Sequence, residues 1–465
     1  MYQIKLKKFF YNNKWKLPSS NIVFNNKTSN DQIIKIPICG KKDVNKTISA
    51  AIKGQNIFNS YSNKKKSKIL NQISIKIKNE ADLLAKKESI ELGKSFINAK
   101  KEMIACSNLW KHASEIIKKK KDKLIIKDNK KLYEILEPIG VVALIIPWNF
   151  PMIVLSERLP YILAAGNTVV IKPSENGTLS IDYFIKILKN SNSPKGTVNY
   201  LTGNHKTGKY LAENKNISMI SFTGSTKTGK EIYKNASTTL KRLSLELGGK
   251  NPMVVFSDAN LNKSCNEVIY SFTHNAGQCC VSGSRLFIEK KISLKFIEKI
   301  KKKLSKLDCK QSITTINQYL KIKKIILKAI KKKVPIIYRN EKLFDDKKRI
   351  IYPIIFNTKK KIDFLEDEIF GPVLTVRFFK DISALVGDMN DTNYGLSALI
   401  WTKNYKKGLD IASKIKSGRI WINGDISQNY PDLAIGGFKE SGINRETGDS
   451  GLRTYSEIKS IILNK

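Results

Sequence analysis

Two thiols stand side by side at Cys279 and Cys280, inside the run Asn275-Ala276-Gly277-Gln278-Cys279-Cys280-Val281-Ser282-Gly283-Ser284-Arg285. A thiolate is a nucleophile, and small neighbours leave room for a substrate and for backbone N–H groups that face an oxyanion. The competing reading is a pair of inert core cysteines, the ordinary fate of a buried thiol. Lys172-Pro173-Ser174-Glu175 sets a lysine and a carboxylate three residues apart, a spacing suited to the hydroxyls of a ribose. Gly224-Ser225 precedes a helix-like segment that begins near Thr226. A hydroxyl there either caps the helix or helps its free N–H groups hold a phosphate. The spacing Gly224 to Gly229 is a weak match to a dinucleotide loop and is neither the G-x-G-x-x-G fingerprint nor a Walker loop. Pro147-Trp148-Asn149-Phe150-Pro151 and Glu246-Leu247-Gly248-Gly249-Lys250 add a side-chain amide and a second carboxylate.

These groups need a scaffold, and the apolar pattern describes one. From Asn45 to Lys120 apolar residues recur at helical spacing, as at Ile48, Ala51 and Ile52, so several amphipathic helices are predicted. Lys123–Ile126 and Leu132–Leu136 alternate and predict an exposed antiparallel hairpin. After Gly140 come short continuous apolar runs, Val141–Ile146, Thr168–Ile171, Val198–Leu201, Ile217–Phe222 and Met253–Phe256. Helix-length segments such as Met152–Ala165 and Leu179–Leu188 lie between them. That alternation predicts βαβ units around a parallel sheet buried on both faces. A second series, Ser284–Ile288, Arg349–Ile355, Val373–Phe379, Ala398–Trp401 and Arg419–Ile422, predicts a second α/β domain; Leu304–Ile336 reads only as helix. In open α/β sheets ligands bind beyond the carboxyl ends of the strands, where four of the polar motifs fall.

The composition bounds the alternatives. The chain has 465 residues, with 84 Lys+Arg, 40 Asp+Glu and a formal net charge of +44. Such a balance fits a nucleic-acid or acidic-membrane binder. Only nine of the basic residues are arginine, however, and the lysine runs at Lys64, Lys118, Lys301, Lys331 and Lys359 are scattered and lack interleaved aromatics. A lysine-rich solvated surface accounts for them. No apolar run approaches the roughly 18 residues of a membrane span, and Met1–Trp15 lacks the apolar core of a secretory signal. Six cysteines without a C-x-x-C pair, and His112, His205 and His274 far apart, speak against a disulfide framework and a metal site.

Together the motifs resemble the NAD(P)-dependent aldehyde dehydrogenase superfamily, over about Phe10 to the C-terminus. Glu368-Ile369-Phe370-Gly371-Pro372 and Gly436-Gly437-Phe438-Lys439-Glu440-Ser441-Gly442 belong to the same ordered set. The resemblance implies a Rossmann-like cofactor domain over 1–117 and 138–246 and an α/β catalytic domain over 247–438. It further implies a small β oligomerisation element from 118–137 and 439–465. It casts Cys280 as the nucleophile, Asn149 with the Cys280 N–H as the oxyanion donors, and Glu246 as the base for the hydrolytic water. Ile146, Pro147, Trp148, Lys172, Ser174, Glu175, Gly224, Ser225 and Leu247 are implied as cofactor contacts, with Glu368 and Phe370 at the nicotinamide ribose and ring. Glu175 favours NAD over NADP, since a carboxylate repels a 2′-phosphate.

The expectation is therefore a cytoplasmic, non-acylating enzyme that oxidises an aldehyde to the free acid as a homodimer or homotetramer. Ser156-Glu157-Arg158 and Pro431–Gly437 resemble the betaine-aldehyde and aminoaldehyde branch, with succinate semialdehyde as the alternative substrate. A basic nucleic-acid- or membrane-binding protein on the same scaffold is the alternative of another class. Three departures from the family stand out: Glu157-Arg158 in place of Trp-Lys, a shortened segment from Leu307 to Asn317, and Asn444 in place of a glycine. Arginine does not deprotonate in a protein, which puts any proton relay through position 158 in doubt. Asparagine is among the few residues that tolerate a left-handed backbone.

Overall fold

A computed structural model describes every residue except 1, 2, 7, 30, 121, 122, 128, 129, 360 and 465. The predicted hairpin turn and parts of the lysine runs at Lys118 and Lys359 therefore lie outside the described residues. The chain divides into two compact units, one of Met1–Leu245, Tyr430–Ile435 and Asn444–Lys465, the other of Glu246–Asn429 and Gly436–Ile443.

The sheet of the first unit runs in the order Arg242–Glu246, Met219–Thr223, Val141–Ile146, Thr168–Pro173, Val198–Tyr200, Phe9–Tyr11 and Lys14–Lys16. Met219–Thr223, Val141–Ile146, Thr168–Pro173 and Val198–Tyr200 are parallel. Their β-branched runs are buried along their whole length, as a sheet covered on both faces requires. Register sets Ile145 beside both Lys172 and Phe222, so the polar motifs that follow these strands emerge on one edge. Helices Asn63–Asn79, Ala81–Leu92 and Phe96–Lys119 arise from the predicted amphipathic stretch and bury Ile73, Leu84, Met103 and Trp110 in one core. The small sheet of Gln3–Lys5, Ile33–Pro37 and Val23–Lys27 carries no clear apolar alternation and was not anticipated.

The hairpin forms from Lys123–Lys127 and Lys130–Pro138, and the tail strand Ser456–Leu463 adds antiparallel, from Ser456 opposite Pro138 to Leu463 opposite Lys131. Leu124, Ile126, Ile458 and Ile462 remain exposed on it.

The second unit is built on a sheet in the order Ile336–Arg339, Ile354–Asn357, Val373–Phe379, Gly283–Glu289, Asn251–Val255, Ser397–Trp401 and Arg419–Ile422, parallel except for its first strand. Three expectations change here. The run at Met253–Phe256 belongs to this sheet and not to the first, because an apolar run specifies a buried strand without naming its neighbours. The helix expected over Met152–Ala165 is two short helices, Pro151–Ser156 and Leu159–Ala164, broken where Arg158 turns inward and Pro160 starts the second. Arg349–Ile355 divides into Ile350–Ile351 and Ile354–Asn357, since Pro353 has no N–H for a ladder. The region that reads only as helix resolves into Ile316–Lys331, whose N-cap Thr315 accepts the Gln318 N–H at 3.2 Å.

Candidate active site

In the first unit the predicted residues gather at the edge where the parallel strands end. The Ser174 N–H donates to the Ile146 carbonyl at 2.8 Å, which ties Pro147-Trp148-Asn149 to the neighbouring Lys172–Glu175 turn. A Cβ on Gly177 would lie 2.8 Å from the Trp148 Cα, so this close approach admits only glycine. Asn149 is buried, while Pro147, Trp148, Ser174 and Glu175 are half-buried. The Lys172 ammonium donates to the Pro173 carbonyl at 3.0 Å and stands 3.9 Å from the Glu175 carboxylate. Burial lowers the Lys172 pKa, and Glu175 offsets part of that shift. Ser225 caps helix Thr226–Ala236, its Oγ accepting the Thr228 N–H at 3.2 Å. The capping reading is thus realised, and the first N–H groups of an 11-residue helix stand beside half-buried Gly224.

In the second unit three segments converge. A Cβ on Gly249 would lie 2.6 Å from the Cys280 carbonyl oxygen, and one on Gly248 would lie 2.7 Å from the Glu368 carboxylate. The two glycines of Glu246–Lys250 therefore let the thiol loop and the Glu368 loop close on the same strand end. The Gly249 N–H donates to Glu368 Oε1 at 3.0 Å, and the Lys250 ammonium donates to the Asp367 carbonyl at 2.9 Å. Asn251 Nδ2 holds the Cys280 carbonyl at 2.7 Å and the Ser282 carbonyl at 2.8 Å. Burial raises the Glu368 pKa, with the Gly249 N–H working against the shift, and lowers that of Lys250 to about 8. Leu247 and Glu246 are buried, and the Leu247 N–H donates to the Ser441 carbonyl at 2.8 Å. Phe370 is half-buried at φ +57, a backbone region that bulky residues seldom occupy.

The two cysteines differ in setting. Cys279 is buried and, with Gly277, Ser282, Ser284 and Phe370, lines a cavity of about 20 Å³, room for one water. Cys280 is half-buried. In the loop before them Asn275, Ala276 and Gly277 stand at φ of +52, +55 and +72, a conformation strained only at Ala276. Gln278, fully buried, restrains it: its Nε2 donates to the Asn275 carbonyl at 2.8 Å and the Ser312 carbonyl at 3.3 Å, and its Oε1 accepts the Thr314 N–H at 2.9 Å. Gln311 Nε2 donates to Asn275 Oδ1 at 2.5 Å. The supporting roles of Gln278 and the 311–314 segment were missed. A polar residue inside an otherwise small-residue loop was the one available signal.

The departures have local explanations. Arg158 is 2% exposed, donates to the Val154 carbonyl at 2.9 Å and to Glu157 at 3.2 Å, and lies 3.8 Å from Glu446. Glu446 in turn accepts from Ser244 at 2.5 Å and from the Tyr455 hydroxyl at 2.8 Å. Asn444 stands at φ +72 and its Nδ2 donates to the Leu243 carbonyl at 2.5 Å, so it occupies a left-handed position and adds a bond that glycine lacks. Among the described residues no group of three or more potential metal ligands occurs, and no helix is long and apolar enough to cross a membrane. The lysine runs are largely exposed on helix faces, although Lys66 is buried.

Comparison with known proteins joins these observations. The model of the aldehyde dehydrogenase family matches residues 15–461. Aldehyde dehydrogenase [NAD(P)+] 2 of Saccharomyces cerevisiae is 35% identical over 477 residues, covering 97% of this chain and 94% of the relative. Betaine aldehyde dehydrogenase of Bacillus subtilis is 32% identical, with coverage of 94% and 93%. An NAD-dependent aldehyde dehydrogenase from Sinorhizobium meliloti superposes with a TM-score of 0.94 at 30% identity, covering 99% of this chain and 95% of that one. The NAD+ complex of a Bacillus cereus aldehyde dehydrogenase does so with 0.94 at 28% identity, with coverage of 98% and 96%. The chain belongs to the aldehyde dehydrogenase family and is an NAD(P)-dependent enzyme of that class.

Proposed function

We propose that the protein oxidises an aldehyde to the free carboxylic acid, with Cys280 as nucleophile and Glu246 as the base that releases the acid. The observation that carries this reading is the approach of Gly249 to the Cys280 carbonyl, which packs the carboxylate-bearing strand end against the thiol-bearing loop. The Cys280 thiolate adds to the carbonyl carbon, and the carbonyl π electrons move to oxygen. The Asn149 amide and the Cys280 N–H stabilise that oxyanion, a contribution commonly worth about 3–4 kcal/mol per donor. Bound NAD would supply the acceptor for the hydride that leaves this carbon. The resulting thioester is then attacked by a water from which Glu246 takes a proton; the C–S bond breaks and the thiolate is restored.

The residues fit the cofactor. Lys172 with Glu175 offers a donor and an acceptor at ribose spacing, and the Ser225-capped helix offers N–H groups to a pyrophosphate. On the same reading Ile146, Pro147, Trp148, Ser174, Gly224 and Leu247 are further cofactor contacts, with Glu368 and Phe370 assigned to the nicotinamide ribose and ring. Glu175 favours NAD over NADP. The exposed apolar residues of the hairpin and tail sheet support assembly into a homodimer or homotetramer, and six free cysteines support a reducing, cytoplasmic setting.

For substrate we propose the betaine-aldehyde and aminoaldehyde class, on the strings Ser156–Arg158 and Pro431–Gly437, with succinate semialdehyde as the competitor. Purified protein with NAD and an aldehyde panel tests both levels. NADH formation that disappears in Cys280→Ala supports the chemistry; equal activity of Cys280→Ala and wild type overturns it. Faster turnover of succinate semialdehyde than of betaine aldehyde overturns the substrate assignment alone.

A further inference from the structure

A lysine and two glutamates are buried together in the first unit. Helix Ala81–Leu92 ends at Gly93, whose φ of +72 turns the chain, and the next residue, Lys94, points inward. Its ammonium donates to Glu88 at 2.8 Å and to Glu102, on helix Phe96–Lys119, at 2.6 Å. Withdrawing such charges from water costs several kcal/mol per ion, and apolar residues of similar volume generally pack as well. Helix packing alone therefore gives little reason for the triad.

What the triad has besides packing is two contacts with the turn that carries Asn149. The Lys94 ammonium lies 4.2 Å from the centre of the Phe150 ring, a cation–π arrangement. The second oxygen of Glu88 accepts the Met152 N–H at 3.2 Å and the Ser180 hydroxyl at 3.3 Å. Phe150 has φ −139 and ψ +62, values of neither helix nor strand, so this turn is held by its surroundings. We propose that Lys94 and Glu88 are positioning residues which clamp Phe150 and Met152 and thereby aim the Asn149 amide at the oxyanion. The inference rests on the reading of Asn149 as oxyanion donor. Burial raises the Glu102 pKa, and the Lys94 ammonium beside it works against that shift.

The experiment compares steady-state oxidation in wild type, Phe150→Leu, Lys94→Met, Asn149→Ala and the two double variants with Asn149→Ala. Phe150→Leu removes the ring and leaves the triad intact, so the test survives if Lys94→Met fails to fold. Displacement of a reacting group by about 1 Å costs about 100-fold. Each folded single variant is therefore expected to lose at least about tenfold in kcat with KM for NAD within about threefold. In the Asn149→Ala background the same changes should lower kcat by less than about twofold, because the group they aim is gone. Full kcat in both folded variants, or losses that multiply with that of Asn149→Ala, overturns the clamp. Wild-type kcat in Asn149→Ala overturns the oxyanion assignment and the clamp with it.

Discussion

Replacing Gln278 by methionine keeps the length of the side chain and removes its amide. Three buried bonds disappear, to the Asn275 and Ser312 carbonyls and from the Thr314 N–H. A buried N–H left without its acceptor costs about 1–3 kcal/mol, and each lost bond to a carbonyl about 0.5–1.5 kcal/mol. The total is about 2–6 kcal/mol, a large share of the margin of roughly 5–15 kcal/mol that holds a domain folded. For a unit of this size each kcal/mol corresponds to about 2–4 °C, so the melting temperature should fall by about 10 °C. A second effect is geometric. Ala276 is held at φ +55, at a cost of about 1–2 kcal/mol for a residue without special tolerance. Without the Gln278 anchor that strain relaxes and Cys280 moves, with an expected loss of about 100-fold in kcat/KM. Differential scanning calorimetry, NADH formation and the alkylation rate of Cys280 by iodoacetamide measure the two effects separately. Gln278→Glu keeps an acceptor for Thr314 but sets a buried carboxylate oxygen against the Asn275 and Ser312 carbonyls, so it should lose at least as much stability as Gln278→Met. A folded Gln278→Met with unchanged melting temperature and wild-type kcat/KM refutes the reasoning.

Gly249→Ala forces a methyl to within 2.6 Å of the Cys280 carbonyl oxygen; expected is a loss of at least about tenfold in kcat/KM, read by NADH formation. Lys250 titrates at about 8 when folded and near 10.4 unfolded, so the folded state releases its proton first. Its contribution to stability is therefore present above about pH 10 and lost as pH falls through 8. The stability of wild type relative to Lys250→Met, from urea melts, should rise between pH 8 and 10. Asn444→Ala retains the left-handed φ but loses the bond to Leu243, so destabilisation of about 1–3 kcal/mol is expected by the same urea melts. Asn444→Gly, which relieves the backbone, should cost less than Asn444→Ala.

Much of the scaffold was legible because buried parallel strands are written as continuous apolar runs. Val141–Ile146 and Thr168–Pro173 stand out against any background, and so do the polar turns that end them. What failed was assignment between sheets: Asn251–Val255 looks the same in either sheet, and only non-local pairing with Gly283–Glu289 and Ser397–Trp401 decides. The Gly248-Gly249 pair was legible as a motif, but the reason for two glycines was not, since it lies in loops some 30 and 120 residues away. The supports of the site were least legible. Glu88 and Glu102 sit in amphipathic helices and Lys94 in the turn between them, places where a charged residue ordinarily faces water. Phe150 and Met152, against which Lys94 and Glu88 pack, lie far along the chain. Arg158 was noted as a substitution, but its inward turn and its broken helix follow from Glu446, which arrives from near the C-terminus.

The discontinuity of the first unit bears on the order in which the protein is made. Its parallel strands are synthesised by residue 245, yet Glu446 and Tyr455, which hydrogen-bond Ser244 and Ser221 inside it, emerge after the whole second unit. The tail strand that pairs with Lys130–Pro138 emerges later still. Through that interval the hairpin presents an open strand edge with isoleucines and leucines along it, the kind of surface that recruits other chains. The charged residues interspersed there, Lys123, Lys127, Lys130, Lys131 and Glu134, are the type that discourages such pairing. Lys130, Lys131 and Glu134 lie on the strand whose edge the tail closes, where charges disfavour pairing with another chain.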